Sequence, residues 1–237
     1  MSMRLSALLL LLGACQAPAE QGAAVARERP GAFPKADRPV AKIVSSRWST
    51  EEARDRLREA DEVMNRAGIV KGMTVADIGA GEGYYTTRLA ARVGQDGRVL
   101  AQDIVPEVRD TLADRVNRER LDNVSVKLGE PEDPKLPVNS FDRIFMVHMY
   151  HEIGAPFEFL WHLRPALKPG GQVIIVDADR PTQNHGTPPA LLKCELAAVG
   201  YTQVRVERMP QAGGYFAAFE ARGPRPDARA IKSCRSQ

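Results

Sequence analysis

The 237 residues are 43% hydrophobic and 27% charged, enough apolar material for one sizeable α/β domain with its own core. A formal net charge of +3, with basic and acidic residues mostly alternating, argues against a nucleic-acid-binding surface.

In chain order, Arg4 precedes the unbroken apolar run Leu8–Leu12. That run is too short to span a bilayer as a helix and fits the apolar part of a signal peptide. It ends Leu12-Gly13-Ala14-Cys15, which resembles the lipobox of bacterial lipoproteins. The resemblance implies cleavage before Cys15, lipidation of its sulfur, and a membrane-anchored protein of the cell envelope. Gln16, where an Asp usually retains such proteins at the inner membrane, points to the outer membrane. If the signal is not used, the protein is cytoplasmic. The expected division is a signal peptide over 1–14, a flexible tether over 15–42, a domain over 43–222 and a solvated basic tail over 223–237.

Ser49 and Glu52 read as a capping box opening one helix, with Ala53, Leu57, Ala60, Met64 and Ala67 on a single face and Gly68 at its end. This helix could lie over a site as a partial lid. Strand patterns follow at Thr74–Ile78, Arg98–Asp103, Val124–Leu128, Phe141–Val147 and Gln172–Asp177. Helix patterns at Tyr84–Arg92, Val105–Arg120 and Pro156–Leu167 separate them, which predicts a parallel sheet covered on both faces. Helix Pro188–Val199 leads to strands Val204–Met209 and Tyr215–Ala221. The five residues between those two strands are too few for a crossover helix, so the pair should be antiparallel. Cys194 and Cys234 could pair in an oxidising compartment, and Cys194 could equally be a buried thiol on an apolar helix face.

The chemistry concentrates at strand ends. Asp77-Ile78-Gly79-Ala80-Gly81-Glu82-Gly83 is a strand that runs through a glycine turn into a helix, the geometry of a nucleotide-binding edge. Asp103 ends the next strand, and a carboxylate there can accept from both hydroxyls of a ribose. With Phe141–Ile153 and the Pro169-Gly170-Gly171 turn, these stretches resemble the class I S-adenosylmethionine-dependent methyltransferases over about Met64–Ala221. The resemblance implies a Rossmann-like seven-stranded sheet of order 3-2-1-4-5-7-6, with strand 7 antiparallel. It implies S-adenosylmethionine as cofactor: Asp77, Gly79, Ala80, Gly81 and Gly83 at its methionine part, Asp103 at the ribose, Ile104 on the adenine, and Glu130 or Glu132 near the adenine amine.

His148-Met149-Tyr150-His151-Glu152 follows the fourth strand, at the crevice where ligands bind in open α/β sheets. His151 or Tyr150, with His148 beside them, would position or deprotonate a methyl acceptor. The His-x-x-His-Glu spacing is not that of a zinc-protease helix, so the site is read as metal-free, with His185 the candidate third ligand if a metal were held. His162 lies in a helix pattern and has no assigned role. Tyr84, Tyr85, Met149, Tyr150 and Trp48 could line an apolar pocket for a small molecule. Two functions fit: a methyltransferase acting on a small-molecule acceptor, or an exported, membrane-anchored binding protein on the same fold.

Overall fold

The structure is a computed structural model that describes residues 31–43 and 50–235. The expected signal peptide, Cys15, Ser49 and Trp48 lie outside these residues.

Seven strands form one sheet: β1 (Thr74–Ile78), β2 (Arg98–Asp103), β3 (Val124–Leu128), β4 (Phe141–Val147), β5 (Leu167–Asp177), β6 (Tyr201–Met209) and β7 (Gly214–Ala221). Their order is β3-β2-β1-β4-β5-β7-β6. The pairs from β3 to β5 are parallel, and β7 runs antiparallel to both β5 and β6. The expected order and the reversed last pair both hold. The central strands are apolar on both faces because helices cover both. Val75, Phe145, Ile174 and Phe216 face α2 (Glu59–Arg66) and α3 (Tyr84–Val93). Ala76, Ile144, Val173 and Ala217 face α5 (Pro156–Leu163) and α6 (Pro189–Ala198). Leu112 and Val116 seat α4 (Pro106–Glu119) against Ala101. The strand order reverses between β1 and β4, and the C-terminal ends of these two strands open a crevice.

The single helix expected before β1 is two helices. α1 (Glu51–Arg56) is capped by Thr50, whose Oγ1 accepts from Ala53 N at 3.3 Å. The chain then bends at Arg58, which has φ 53° and caps α2. The cause lies in the packing. Ala60, Val63 and Met64 of α2 are buried, whereas α1 buries nothing and Leu57 is 54% exposed. Freed from the core, α1 turns out over the crevice.

Both expected domain boundaries need correction. Residues 31–43 pack as a strap in place of the last part of a tether. The Arg38 side chain is fully buried and donates to Glu195 Oε1 at 2.8 Å and to Ile153 O at 3.2 Å. Thr182 Oγ1 donates to Pro39 O at 2.6 Å, and Ala41 N to His151 O at 3.2 Å. The basic tail is anchored to the domain as well, although Arg229, Lys232 and Arg235 stay exposed. Trp161 Nε1 donates to Pro226 O at 2.9 Å, the Arg225 guanidinium stacks on the Trp161 ring, and Ala228, Ile231 and Cys234 are buried. Cys194 lies on an exposed side of α6 and forms a disulfide with Cys234, 40 residues on, which excludes the buried-thiol reading.

Candidate functional site

β1 delivers the glycine turn to the mouth of the crevice. Gly79 has φ +66°, and a Cβ there would press on the Met149 side chain at 3.0 Å. Gly83 has φ +90°, caps α3, and leaves no room for a Cβ, which would lie 2.5 Å from Leu112 Cδ1. Both positions therefore favour glycine for conformation, and a side chain at either would also push a neighbouring side chain aside. The turn is stapled to the end of β2. Ala80 N donates to Gln102 O at 3.0 Å, Gly81 N to Asp103 Oδ2 at 3.0 Å, and Val105 N to Asp103 Oδ1 at 3.0 Å. One carboxylate thus holds together two loops that the sequence separates.

Asp77 sits behind this wall, buried, and accepts from Thr86 Oγ1 at 2.6 Å. Burial, and secondarily the nearby Asp103 charge, push its carboxyl up to about 6, against the Thr86 hydrogen bond and the Arg54 charge. A carboxyl raised in the folded state stabilises the fold fully below its ordinary value of 3.8 and loses that contribution as pH rises through about 6. The rise corresponds to at most about 3 kcal/mol. Asp77→Asn, which keeps an acceptor for Thr86, should therefore raise the melting temperature of the ligand-free protein at pH 8 and leave it unchanged at pH 4. Thermal melts across that range check this, and an equal effect at both pH values would rule it out.

α1 forms one lip of the crevice through charged contacts. Arg54 makes a two-pronged pair with Glu59 at 2.6 and 3.1 Å, and its guanidinium lies 3.8 Å over the Tyr84 ring. Tyr85 is buried and donates to Glu59 Oε1 at 2.9 Å; it packs under the lip and is not part of the cavity wall. Burial acts against the charge on Glu59, yet the His148 and Arg54 contacts prevail and hold the carboxyl down at about 2. Arg88 and Arg115 clamp Glu51 and Asp55 from α3 and α4.

At the end of β4 the candidates part. His148, with φ 55°, lines the cavity with its Nε2 3.5 Å from Glu59 Oε1. Tyr150 does not: it is fully buried on the opposite side and donates to Glu195 Oε2 at 2.7 Å. The turn over Tyr150–Glu152 points it into the core, which corrects its assignment as a catalytic candidate. His151 lines the cavity. Its Nδ1 sits 3.0 and 3.1 Å from the two oxygens of Asp177, and its Nε2 has no hydrogen-bond partner among the described residues. A carboxylate can only accept, so Nδ1 carries a proton, and in the neutral ring Nε2 holds the lone pair. Asp177 also accepts from Thr187 Oγ1 at 2.7 Å and Ala178 N at 2.9 Å.

These groups wall one cavity of about 1000 Å³. It runs from Gly79–Glu82, Asp103 and Ile104 past Tyr84 and Met149 to His151, Glu152 and His185. Leu57, Val108, Ile153 and Phe159 supply much of the apolar lining. Glu130 is not on the wall: it is exposed and pairs with Lys135 at 3.1 Å, while the neighbouring Pro131 reaches the cavity and Glu132 is exposed.

Residues 75–171 match a family described as a methyltransferase domain. The chain is 27% identical to a SAM-dependent methyltransferase from Aquifex aeolicus, with a TM-score of 0.62 over 72% of this chain and 97% of that one. The chain carries a class I S-adenosylmethionine-dependent methyltransferase domain. It is also similar to a demethylmenaquinone methyltransferase of Geobacillus sp. (strain WCH70), at 26% identity over 54% of this chain and 55% of the relative. A third relative is the ubiquinone/menaquinone biosynthesis C-methyltransferase UbiE of Hydrogenovibrio crunogenus, at 30% identity over 49% of this chain and 46% of the relative. The chain spans about half the length of these curated relatives.

Three residues of this methyltransferase domain's wall and its support, Gln102, Glu59 and Asp177, had no role assigned from the sequence. Gln102 is buried on the wall, and its Nε2 has no partner among the described residues. Gly129 makes its room, since a Cβ there would fall 1.6 Å from that nitrogen. Glu59 was hidden in a helix pattern. Asp177 was visible as an acid closing an apolar strand, the same signal that marked Asp103.

Proposed function

We propose that the protein transfers the methyl group of S-adenosylmethionine to a small-molecule acceptor bound in this cavity. The observation that carries the reading is the continuity of one cavity from the glycine turn and Asp103 to the His151–Asp177 pair. Its volume lies at the upper end for ligand sites, which suits a cofactor and an acceptor side by side. Asp103 takes the ribose hydroxyls, Gly79, Ala80 and Gly81 the methionine part, and Ile104 the adenine. Gly83 and Asp77 support the turn from behind.

The sulfonium is its own good leaving group, so the protein's part is alignment of the acceptor with the methyl carbon. His151, with its ring fixed by Asp177, offers Nε2 to the acceptor and positions it. His148 ties the β4 loop to the lip through Glu59. The apolar lining from Leu57, Val108, Ile153 and Phe159 suits an aromatic acceptor, and two relatives carry names from quinone biosynthesis. Calorimetry of the full-length protein with S-adenosylmethionine and S-adenosylhomocysteine tests the reading. Micromolar binding of either is expected, and no binding up to millimolar concentration overturns it.

The same proposal places the protein in the cell envelope, anchored through lipid on Cys15. The Cys194–Cys234 disulfide supports an oxidising compartment. In protein isolated without reductant and unfolded, neither thiol should react with an alkylating reagent, and Cys15→Ser should release the protein from the membrane fraction. Full alkylation, or a wild-type protein found in the cytosol, would exclude export.

A further inference from the structure

We propose that His151, Glu152 and His185 form a site for a divalent first-row transition-metal ion such as zinc. The sequence placed His151 and His185 far apart and read the site as metal-free, but the fold brings them together. One ligand atom from each of the three residues lies within 4.8 Å of the other two. The rings of His151 and His185 meet edge to face with centroids 5.4 Å apart. Ligands about 2.1 Å from one ion stand at most about 4.2 Å apart, so side-chain shifts of an ångström or less close the set.

The decisive group is His151. It is 1% exposed and lines the cavity, and its Nε2 is buried with no hydrogen-bond partner among the described residues. An unpartnered buried ring nitrogen costs free energy unless something occupies its lone pair. Its other nitrogen is held by Asp177, which itself accepts from Thr187 and Ala178 N. A carboxylate on the far side of an imidazole is the arrangement that fixes the tautomer and raises the basicity of a metal-binding histidine.

The loop after β5 is built to bring His185 to this place. Thr187 N donates to Ala178 O at 2.8 Å and Arg180 Nε to His185 O at 3.0 Å. Gly186 packs so closely that a Cβ would lie 2.5 Å from Ala178 O. Two imidazoles and one carboxylate form a mixed donor set that suits zinc, iron or cobalt better than calcium or magnesium. Three protein ligands leave coordination positions open toward the cavity, where an acceptor's hydroxyl oxygen could bind. With an ion bound, the Nε2 lone pair is taken and His151 positions the acceptor through the ion instead of directly; the ion itself can be measured without cofactor or acceptor.

The test is cobalt(II) and zinc titration of the full-length protein after chelator dialysis. Cobalt is read by its visible d–d absorption and zinc by calorimetry. One equivalent of zinc should bind with micromolar or tighter affinity. His185→Ala and Glu152→Gln, both at half-buried positions, should each weaken it at least tenfold, with thermal melts confirming the fold. His162→Ala, on α5, should bind as the wild type does. Absence of stoichiometric binding overturns the site, as does less than a tenfold loss in both His185→Ala and Glu152→Gln. S-adenosylmethionine binding measured in excess chelator reports on the cofactor cleft alone, so failure of one proposal is distinguishable from failure of the other.

Discussion

Glu195→Ala should cost 3–5 kcal/mol of stability and lower the melting temperature by roughly 10 °C. Glu195 is buried on α6 and receives two groups at once: the Arg38 guanidinium at 2.8 Å and the Tyr150 hydroxyl at 2.7 Å. Removing it leaves a guanidinium buried without its counter-charge, and Arg38 already has one nitrogen, Nη1, without a partner among the described residues. The Tyr150 hydroxyl loses its acceptor as well, and a polar group stranded in a core costs more than a hydrogen bond contributes when made. Replacing the whole cluster is a different matter. Arg38→Met, Tyr150→Phe and Glu195→Leu together remove every polar group, and buried ionic clusters exchanged for apolar side chains are often neutral in stability. The triple variant should therefore melt well above Glu195→Ala. Denaturant titration of both variants checks this. If the triple variant is no more stable than Glu195→Ala, the cost comes from lost packing volume and the charge argument fails.

Asp103→Ala should weaken S-adenosylmethionine binding between about a hundredfold and ten-thousandfold. Two ribose hydroxyls on one carboxylate are two charge-assisted hydrogen bonds, each about 1.5–3 kcal/mol, and every 1.4 kcal/mol is tenfold in affinity. The side chain has a second task, since it also accepts from Gly81 N and Val105 N and holds the turn against β2. Asp103→Asn separates the two tasks. Its amide oxygen can still accept one loop hydrogen bond, but the charge and one acceptor are gone. Calorimetry should place it between the wild type and Asp103→Ala. Wild-type affinity in Asp103→Ala would remove the ribose assignment and leave only the loop contact.

The strand pattern survived the fold almost residue for residue because it is a burial pattern. β1 to β4 have the expected bounds: in β1 and β4 a buried apolar run lies between helices on both faces, whereas edge strand β3 buries no residue and shows only the alternation of Val124, Val126 and Leu128. The strap and the tail left none. Arg38 and Trp161 anchor them through single side chains and a disulfide closes the tail, and single anchors have no period to read. The break at Arg58 was invisible for a related reason. The local sequence is helical throughout, and the bend follows from which half reaches the core.

The site divides the same way. The glycines and Asp103 were readable because backbone geometry and a strand end demand particular residue types at particular places. Tyr150 and His151 are neighbours, and no pattern says which of two adjacent side chains in a short turn faces the core and which the cavity. Asp177 stands 26 residues from His151, and the pairing exists only because β4 and β5 end side by side. The amino-acid sequence by itself determined the strands, the reversed last pair and the glycine turn, since these rest on local backbone demands and on burial, while the order of the sheet came with the family resemblance. The tertiary structure decided the orientation of His151, the presence of His185 beside it and the docking of the 31–43 strap and the tail up to Arg235, because each of these depends on side chains that meet only after the strands have aligned.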